Sequence, residues 1–335
     1  MNPITHQYID RRTRKVKNEK LLGDRLVNLI YNDVRERTPA VFRALTSARC
    51  SRLLGFLNFD LALETRFRGG GDLLRRWGVD ESECLDDPAA LDTPRKLFTR
   101  KIKYWTCRPL PEDPRAVVSP ADSRVLLGSL SDSSLLFIKN KFFHFEELLG
   151  PGNTGWLKAF EGGDFAVFRL TPEKYHYNHV PVAGRVLDIF EVEGAYHACN
   201  PGAVVRLATP FSKNKRVVSI IDTDRPGGTK VGLAAMIEVV ALMVGEIEPA
   251  YSVEGYDNPR SIYPEDFLEK GRPKSLFKPG SSTVVLLFQP GRVEFDRDLL
   301  ENQSTPGVAS RFSLGFGRPL VETEVWVRSS IGRGR

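Results

Sequence analysis

From about Val117 onward the chain alternates short runs of β-branched and aromatic residues with turn formers. Such runs occupy Arg124 to Leu127, Ser134 to Ile138, Ala166 to Leu170, Arg185 to Ile189, Val217 to Ile221 and Val231 to Ile247, and this pattern predicts strands. Val284, Val285, Leu286, Leu287 and Phe288 form an unbroken apolar run after Pro279-Gly280, which predicts a fully buried strand entered through a turn. Before residue 100 the period changes. Leu22, Leu26, Ile30 and Val34 recur every four residues, placing them on one face of a helix that should end near Thr38-Pro39, because proline disfavours helix in the residue before it. A second helical stretch carries Val41, Phe42, Leu45, Leu53, Leu54, Phe56 and Leu57 with Arg43, Arg49 and Arg52 interleaved. Two readings of this pair stay open: helices lying on an anionic membrane surface with arginines among the headgroups, or helices packed on the core. Gly69-Gly-Gly71 and Arg108-Pro-Leu-Pro-Glu-Asp-Pro114 read as loop and connection. The expected architecture is α+β, with a helical region over 1–96 leading into a mostly β core over 97–335, and with helices mainly in the first hundred residues.

Composition narrows the class. With 335 residues, 41% of them hydrophobic and 10% aromatic, the chain can bury a sizeable core. The longest apolar stretch, Val231 to Ile247, carries Glu238 and glycines, so it reads as a core strand and not a membrane span. Met1-Asn-Pro-Ile-Thr-His lacks the pattern of a secretion signal, which places the expected site of action on the cytoplasmic side. Cys50, Cys84, Cys107 and Cys199 lie far apart without metal-ligand spacing and read as ordinary thiols. The net charge of +6 favours anionic partners, nucleic acid or lipid. Aromatics sit in apolar strands and do not interleave with Lys and Arg as a nucleic-acid stacking platform requires.

Candidate chemistry enters with Phe277-Lys-Pro-Gly-Ser-Ser-Thr-Val-Val-Leu-Leu-Phe288. Glycine reaches backbone geometries closed to other residues, so a serine beside Gly280 can bring its hydroxyl to the carbonyl behind it. Taken alone, the string reads as a hairpin entering a core strand. It does not stand alone. Ser119-Pro-Ala-Asp-Ser-Arg-Val125 and Phe168-Arg-Leu-Thr-Pro-Glu-Lys-Tyr-His-Tyr-Asn-His-Val-Pro-Val-Ala-Gly184 precede it, followed by Asn200-Pro201, Asn214 to Val218, Ala235 to Val239 and Val244-Gly245.

In this order the segments resemble the phosphatidylserine decarboxylases, pyruvoyl-dependent enzymes made as proenzymes that cut themselves. The likeness runs from about Leu97 to Phe295. It implies a pyruvoyl group derived from the chain's own serine, phosphatidylserine as substrate, peripheral attachment to an anionic membrane, and two cleaved chains that stay together; homo-oligomerisation is left open. It further implies His179 as the base in processing, with Asp122 as the carboxylate that orients it, and His176 as the histidine of the decarboxylation step. His-x-x-His also suits a metal on a helix, but Thr171-Pro172 and Pro181 oppose a helix here, so no metal is expected. Where the family commonly has Gly-Ser-Thr, this chain has Gly280-Ser281-Ser282-Thr283. Register counted from the strand selects Ser282 as the processed residue, and counting from the glycine selects Ser281. Ser123 and Ser275 stand where glycine is usual. The rival readings are a pyruvoyl-dependent decarboxylase of a free amino acid and, in a different class, a basic nucleic-acid-binding protein.

Overall fold

The computed structural model describes residues 5–21, 31, 34, 37–47, 49–50, 53, 70–131, 142–207, 209–242, 246–280 and 282–335. The strands are β1 (Gln7–Asp10), β2 (Lys15–Asn18), β3 (Ala116–Val118), β4 (Ser123–Ser129), β5 (Asp164–Leu170), β6 (Tyr177–His179), β7 (Gly184–Val192) and β8 (Arg216–Asp222). They continue with β9 (Leu233–Val240), β10 (Ile247–Pro249), β11 (Phe267–Leu268), β12 (Pro273–Phe277), β13 (Ser282–Phe288), β14 (Val293–Phe295), β15 (Thr323–Val325) and β16 (Ser330–Gly334). Among the described residues the α-helices are α1 (Pro39–Leu45), α2 (Gly70–Trp77), α3 (Pro94–Phe98), α4 (Tyr104–Cys107), α5 (Phe145–Leu148), α6 (Thr154–Phe160), α7 (Pro201–Arg206), α8 (Pro210–Lys213), α9 (Arg297–Gln303) and α10 (Arg311–Phe316).

Ten strands form one sheet in the order β11-β7-β8-β9-β13-β5-β4-β15-β1-β2. The apolar run after Gly280 lies near its middle, with β13 antiparallel to both β5 and β9. Alternation along β13 divides the core in two. Val284, Leu286 and Phe288 pack with Phe98, Val117, Phe277, Val293 and Ile331, so this face is covered by α3 and by two three-stranded sheets, β10-β12-β6 and β14-β16-β3. Val285 and Leu287 pack with Leu148, Phe160, Val204, Phe211 and Phe312, side chains of helices α5 to α8 and α10. A strand buried on both faces needs no polar positions, which is why this one reads as a continuous apolar run.

Several expectations change. The fold is mixed α and β, with strands predominant, but short helices recur to the carboxyl end and cover one face of the large sheet, so they are not confined to the first hundred residues. Within the stretch read as helical, Arg11 to Lys17 forms the turn and second strand of the β1–β2 hairpin, and β1 pairs in parallel with β15. Three of its charges have partners: Arg11 bonds Asp296 and Asp298 at 2.8 and 2.7 Å, Lys17 pairs with Asp10, and Arg12 lies over the Trp326 ring at 3.9 Å. Glu19, just after the hairpin, enters a buried cluster with Arg124, Arg169, Glu322 and His6. The predicted strand at 134–138 and most of the helix over 22–34 lie outside the described residues. Phe42 of α1 packs with Tyr31, Ala198, Ala203, Leu207 and Leu242, with Val34 and Leu45 against them, so this part of the amino-terminal region rests on the core. Val41 and Leu53 face solvent.

Candidate active site

Ser282 begins β13, opposite Leu170 of β5 and Val240 of β9. It is fully buried, and among the described residues its Oγ has no hydrogen-bond partner. A buried unpaired hydroxyl is costly, so such a group in a native chain calls for an explanation. The backbone two residues earlier is special. Gly280 has φ 151°, a region essentially closed to residues with a Cβ. By the alternation of β13, the Ser282 side chain belongs to the face of Val284 and Leu286. Ser281, the alternative cleavage residue, lies outside the described residues.

The two histidines come from the segment after β5. Lys174 N donates to Thr171 O, closing a turn, and Arg100 clamps that turn, donating to Leu97 O, Lys174 O and Glu173 O at 2.8, 3.2 and 3.0 Å. His176 is buried with its ring stacked on Phe98, the centroids 3.4 Å apart, and among the described residues neither ring nitrogen has a hydrogen-bond partner. Burial, and then the nearby Arg100 charge, push its pKa well below the ordinary 6.5, so the ring is neutral. Phe98 shares one buried cluster with Leu170, Val240 and Val284, the residues that surround Ser282 in the ladder. His176 and Ser282 therefore border the same apolar layer.

His179 ends β6. Its Nδ1 lies 2.9 Å from Gly271 O and its Nε2 2.9 Å from Tyr175 Oη, with the Tyr104 ring edge-on at 4.8 Å. A carbonyl only accepts, so Nδ1 carries the proton and Nε2 is the basic atom. Burial lowers its pKa to about 3. Asp122 does not supply the expected hydrogen bond. Its carboxylate is taken by Arg108, with Nε at 3.1 Å and Nη2 at 2.9 Å, and by Val327 N at 2.8 Å. Arg108 also grips Glu83 with two bonds of 2.9 Å. Burial raises the Asp122 pKa, but the Arg108 charge and hydrogen bonds outweigh it and hold the carboxyl below its usual 3.8. A bidentate guanidinium fits a carboxylate better than one imidazole N–H does, and the Gly271 carbonyl fills the orienting role. The Asp122 loop still touches His179 through the backbone, His179 N donating to Pro120 O at 2.7 Å.

The sequence reading passed over the group that joins these parts. Glu238 interrupts the apolar run of β9 and is fully buried. Its Oε1 accepts from Asn178 Nδ2 at 3.0 Å and from Ser275 Oγ, and its Oε2 pairs with Lys274. Glu238 stands opposite Val284, one alternation from Ser282 on the same face, while Asn178 precedes His179. The buried ion pair thus pins β6 and β12 across the start of β13. One charged residue inside an otherwise apolar strand was the available signal. His6, Glu19 and Glu322 also bring ligand-type atoms within 4.8 Å of one another, but Arg169 lies against both carboxylates and Arg124 against Glu19, a set neutralised by guanidinium.

The sequence model of the family described as phosphatidylserine decarboxylase matches residues 95–314, a span that contains Asp122, both histidines, Glu238 and the Gly-Ser-Ser-Thr turn. The chain belongs to the phosphatidylserine decarboxylase family. A phosphatidylserine decarboxylase proenzyme of Bordetella petrii is 36% identical over 233 residues, covering 66% of this chain and 78% of the relative. The proenzyme of that name from Chlamydia trachomatis serovar L2 is 30% identical over 318 residues, 92% of this chain and 95% of the relative. That second alignment covers more of the chain than the residues matched by the family model.

Proposed function

We propose that this chain is a proenzyme that cuts itself between Ser281 and Ser282 and then decarboxylates phosphatidylserine to phosphatidylethanolamine and CO2. One observation carries the reading: in a chain of this family, the buried hydroxyl of Ser282, without a partner among the described residues, heads the central strand two residues after a glycine in a conformation other residues avoid. Processing balances as follows. Ser282 Oγ adds to the carbonyl carbon of residue 281, the C–N bond breaks, and nitrogen takes a proton, leaving an ester and a free amine. Removal of the Ser282 α-proton expels the carboxylate of residue 281, and the resulting enamine tautomerises to an imine that water hydrolyses, releasing ammonia and leaving a terminal ketone. The chain so blocked holds a pyruvoyl group, which when in place supplies the electron sink for loss of CO2 from an amino acid headgroup.

His179 suits the base role because its tautomer is fixed, with Nε2 as the basic atom. Asp122 acts at one remove, holding with Arg108 the loop whose Pro120 carbonyl carries His179. His176, with both nitrogens unpaired among the described residues, is the group available to a substrate. Lying between β5 and β9, β13 keeps its ladder bonds after the cut, which supports two chains remaining as one folded unit. Among the described residues no helix is long and apolar enough to cross a membrane, and the reading includes peripheral binding to an anionic membrane from the cytoplasmic side. The test offers phosphatidylserine in mixed micelles and, separately, free serine to the purified protein. CO2 release from the lipid supports the proposal, whereas release from free serine alone moves the chain to the amino acid decarboxylase reading.

A further inference from the structure

His179 does not stand alone: its Nε2 opens onto two buried phenols. Tyr175 Oη lies 2.9 Å from His179 Nε2 and 2.7 Å from Tyr256 Oη. Tyr256 Oη in turn lies 2.9 Å from Ile102 O and accepts from Ile102 N at 3.1 Å. Counting protons along this chain is instructive. The contacts Gly271 O to Nδ1, Nε2 to Tyr175, Tyr175 to Tyr256 and Tyr256 to Ile102 O are four, and each needs one proton. A neutral imidazole and two phenols bring about three between them. With His179 neutral, Tyr256 donates to Tyr175 and Tyr175 to Nε2, while Ile102 O keeps the bond it accepts from Tyr104 N at 2.8 Å. With His179 protonated, rotation of two hydroxyls reverses the chain: Nε2–H donates to Tyr175, Tyr175 to Tyr256, and Tyr256 to the second lone pair of Ile102 O. All four contacts are then filled.

We infer that Tyr175 relays the proton, its oxygen taking the Ser282 α-proton as it gives its own to Nε2, and that Tyr256 is a positioning residue completing a reversible hydrogen-bond chain that ends on the Ile102 carbonyl. They therefore govern removal of the Ser282 α-proton and not the ester formation before it. The inference rests on the reading of His179 as the processing base. Other charges near the ring do not substitute for the chain. Arg328 and Arg108 oppose a positive ring and Asp122 favours it, Asp122 being already bound to Arg108. The neighbouring Tyr104 ring lies 4.8 Å away and nearly perpendicular to the imidazole, and burial, the largest influence, also opposes the charge. A protonated His179 needs acceptors on both nitrogens, and the structure provides them. Tyr256→Phe breaks the chain in a definite way. Tyr175 is left to donate permanently to Nε2, and once the ring is protonated the Tyr175 hydroxyl proton has no acceptor. Tyr175→Phe strips Nε2 of its partner outright.

The test follows processing of freshly purified Tyr175→Phe, Tyr256→Phe, His179→Gln and wild-type proenzyme, with and without hydroxylamine, which cleaves esters and leaves amides. Loss of a hydrogen bond to a charged group predicts elimination about ten- to a hundredfold slower in Tyr175→Phe, and a smaller slowing in Tyr256→Phe. Ester should accumulate in both variants, and hydroxylamine should release a small chain with a free amino-terminal serine at 282. Protein labelled with α-deuterated serine should show a larger isotope effect on processing in the variants than in wild type, a readout that a general loosening of the fold does not produce. Wild-type processing in both variants overturns the inference, and so do folded variants arrested as hydroxylamine-resistant amide. If His179→Gln itself matures normally, the base assignment fails; if it accumulates ester while the tyrosine variants do not, the tyrosine chain alone fails.

Discussion

Replacing Arg108 with alanine probes how Asp122 serves the site. Arg108 is almost wholly buried, and its guanidinium makes two bonds to Asp122 and two to Glu83. Asp122 is buried while the Glu83 side chain keeps 22% of its exposure, so most of the loss falls on Asp122. Removing one partner of a buried pair costs about 3–5 kcal/mol, and the partly exposed Glu83 pair adds at most about 1 kcal/mol. At about 2–4 °C per kcal/mol in domains of roughly 150–250 residues, the melting point should fall on the order of 10 °C. The measurement belongs in a Ser282→Ala background, so that one uncut chain is melted throughout. Its pH dependence has a definite sign. In the parent, Asp122 titrates below its unfolded value of 3.8, so its stabilisation is fully present above that value and is lost as pH falls through the depressed native pKa. In Arg108→Ala, burial without the guanidinium raises the native pKa above the unfolded one. The penalty is then largest near neutrality and shrinks as pH falls through that raised pKa. Arg108→Met with Asp122→Asn should recover much of the loss, since removing both charges leaves no uncompensated ion. A loss under about 1 kcal/mol, or one that does not shrink on acidification, would refute the placement of Asp122 as an ion-paired anchor.

Three further outcomes are expected. Gly280→Ala forces a side chain into a backbone region that costs about 1–3 kcal/mol, so self-cleavage should slow on a gel time course, and cleavage at the parental rate would show that the turn does not need this geometry. His176→Ala should still mature into two chains while losing about 10²- to 10⁴-fold in lipid decarboxylation; an uncut but folded His176→Ala would merge the roles given to the two histidines. Vesicles containing anionic lipid should retain the protein at low salt and release part of it as salt shortens the Debye length to well below about 8 Å, and salt-independent retention would point to apolar insertion instead.

The core strands were legible because β13 and β5 are buried along nearly their whole length with five apolar residues in seven, and β8 carries four in seven. The hairpin over β1 and β2 was hidden by Arg11, Arg12, Arg14, Lys15 and Lys17, of which Arg11 is paired with Asp296 and Asp298 and Lys17 with Asp10. No local pattern reports such partners. The helices over the large sheet run from four to seven residues, too short for a clear 3.6-residue period. At the site, the motif located His176, His179, Asp122 and Ser282, but not their bonds. Gly271 and Tyr256 lie 92 residues from His179 and 81 from Tyr175, and the bidentate claim of Arg108 on Asp122 came from a segment that read only as a proline-rich connection.

The central claim is tested most directly by the intact mass of the purified protein. Self-processing predicts two species: a large chain ending at Ser281, and a small chain of residues 282–335 whose first residue has become a ketone, lacking the amine of serine. A single species of 37.6 kDa from folded protein that decarboxylates phosphatidylserine would contradict it, because the ketone arises only from the cut.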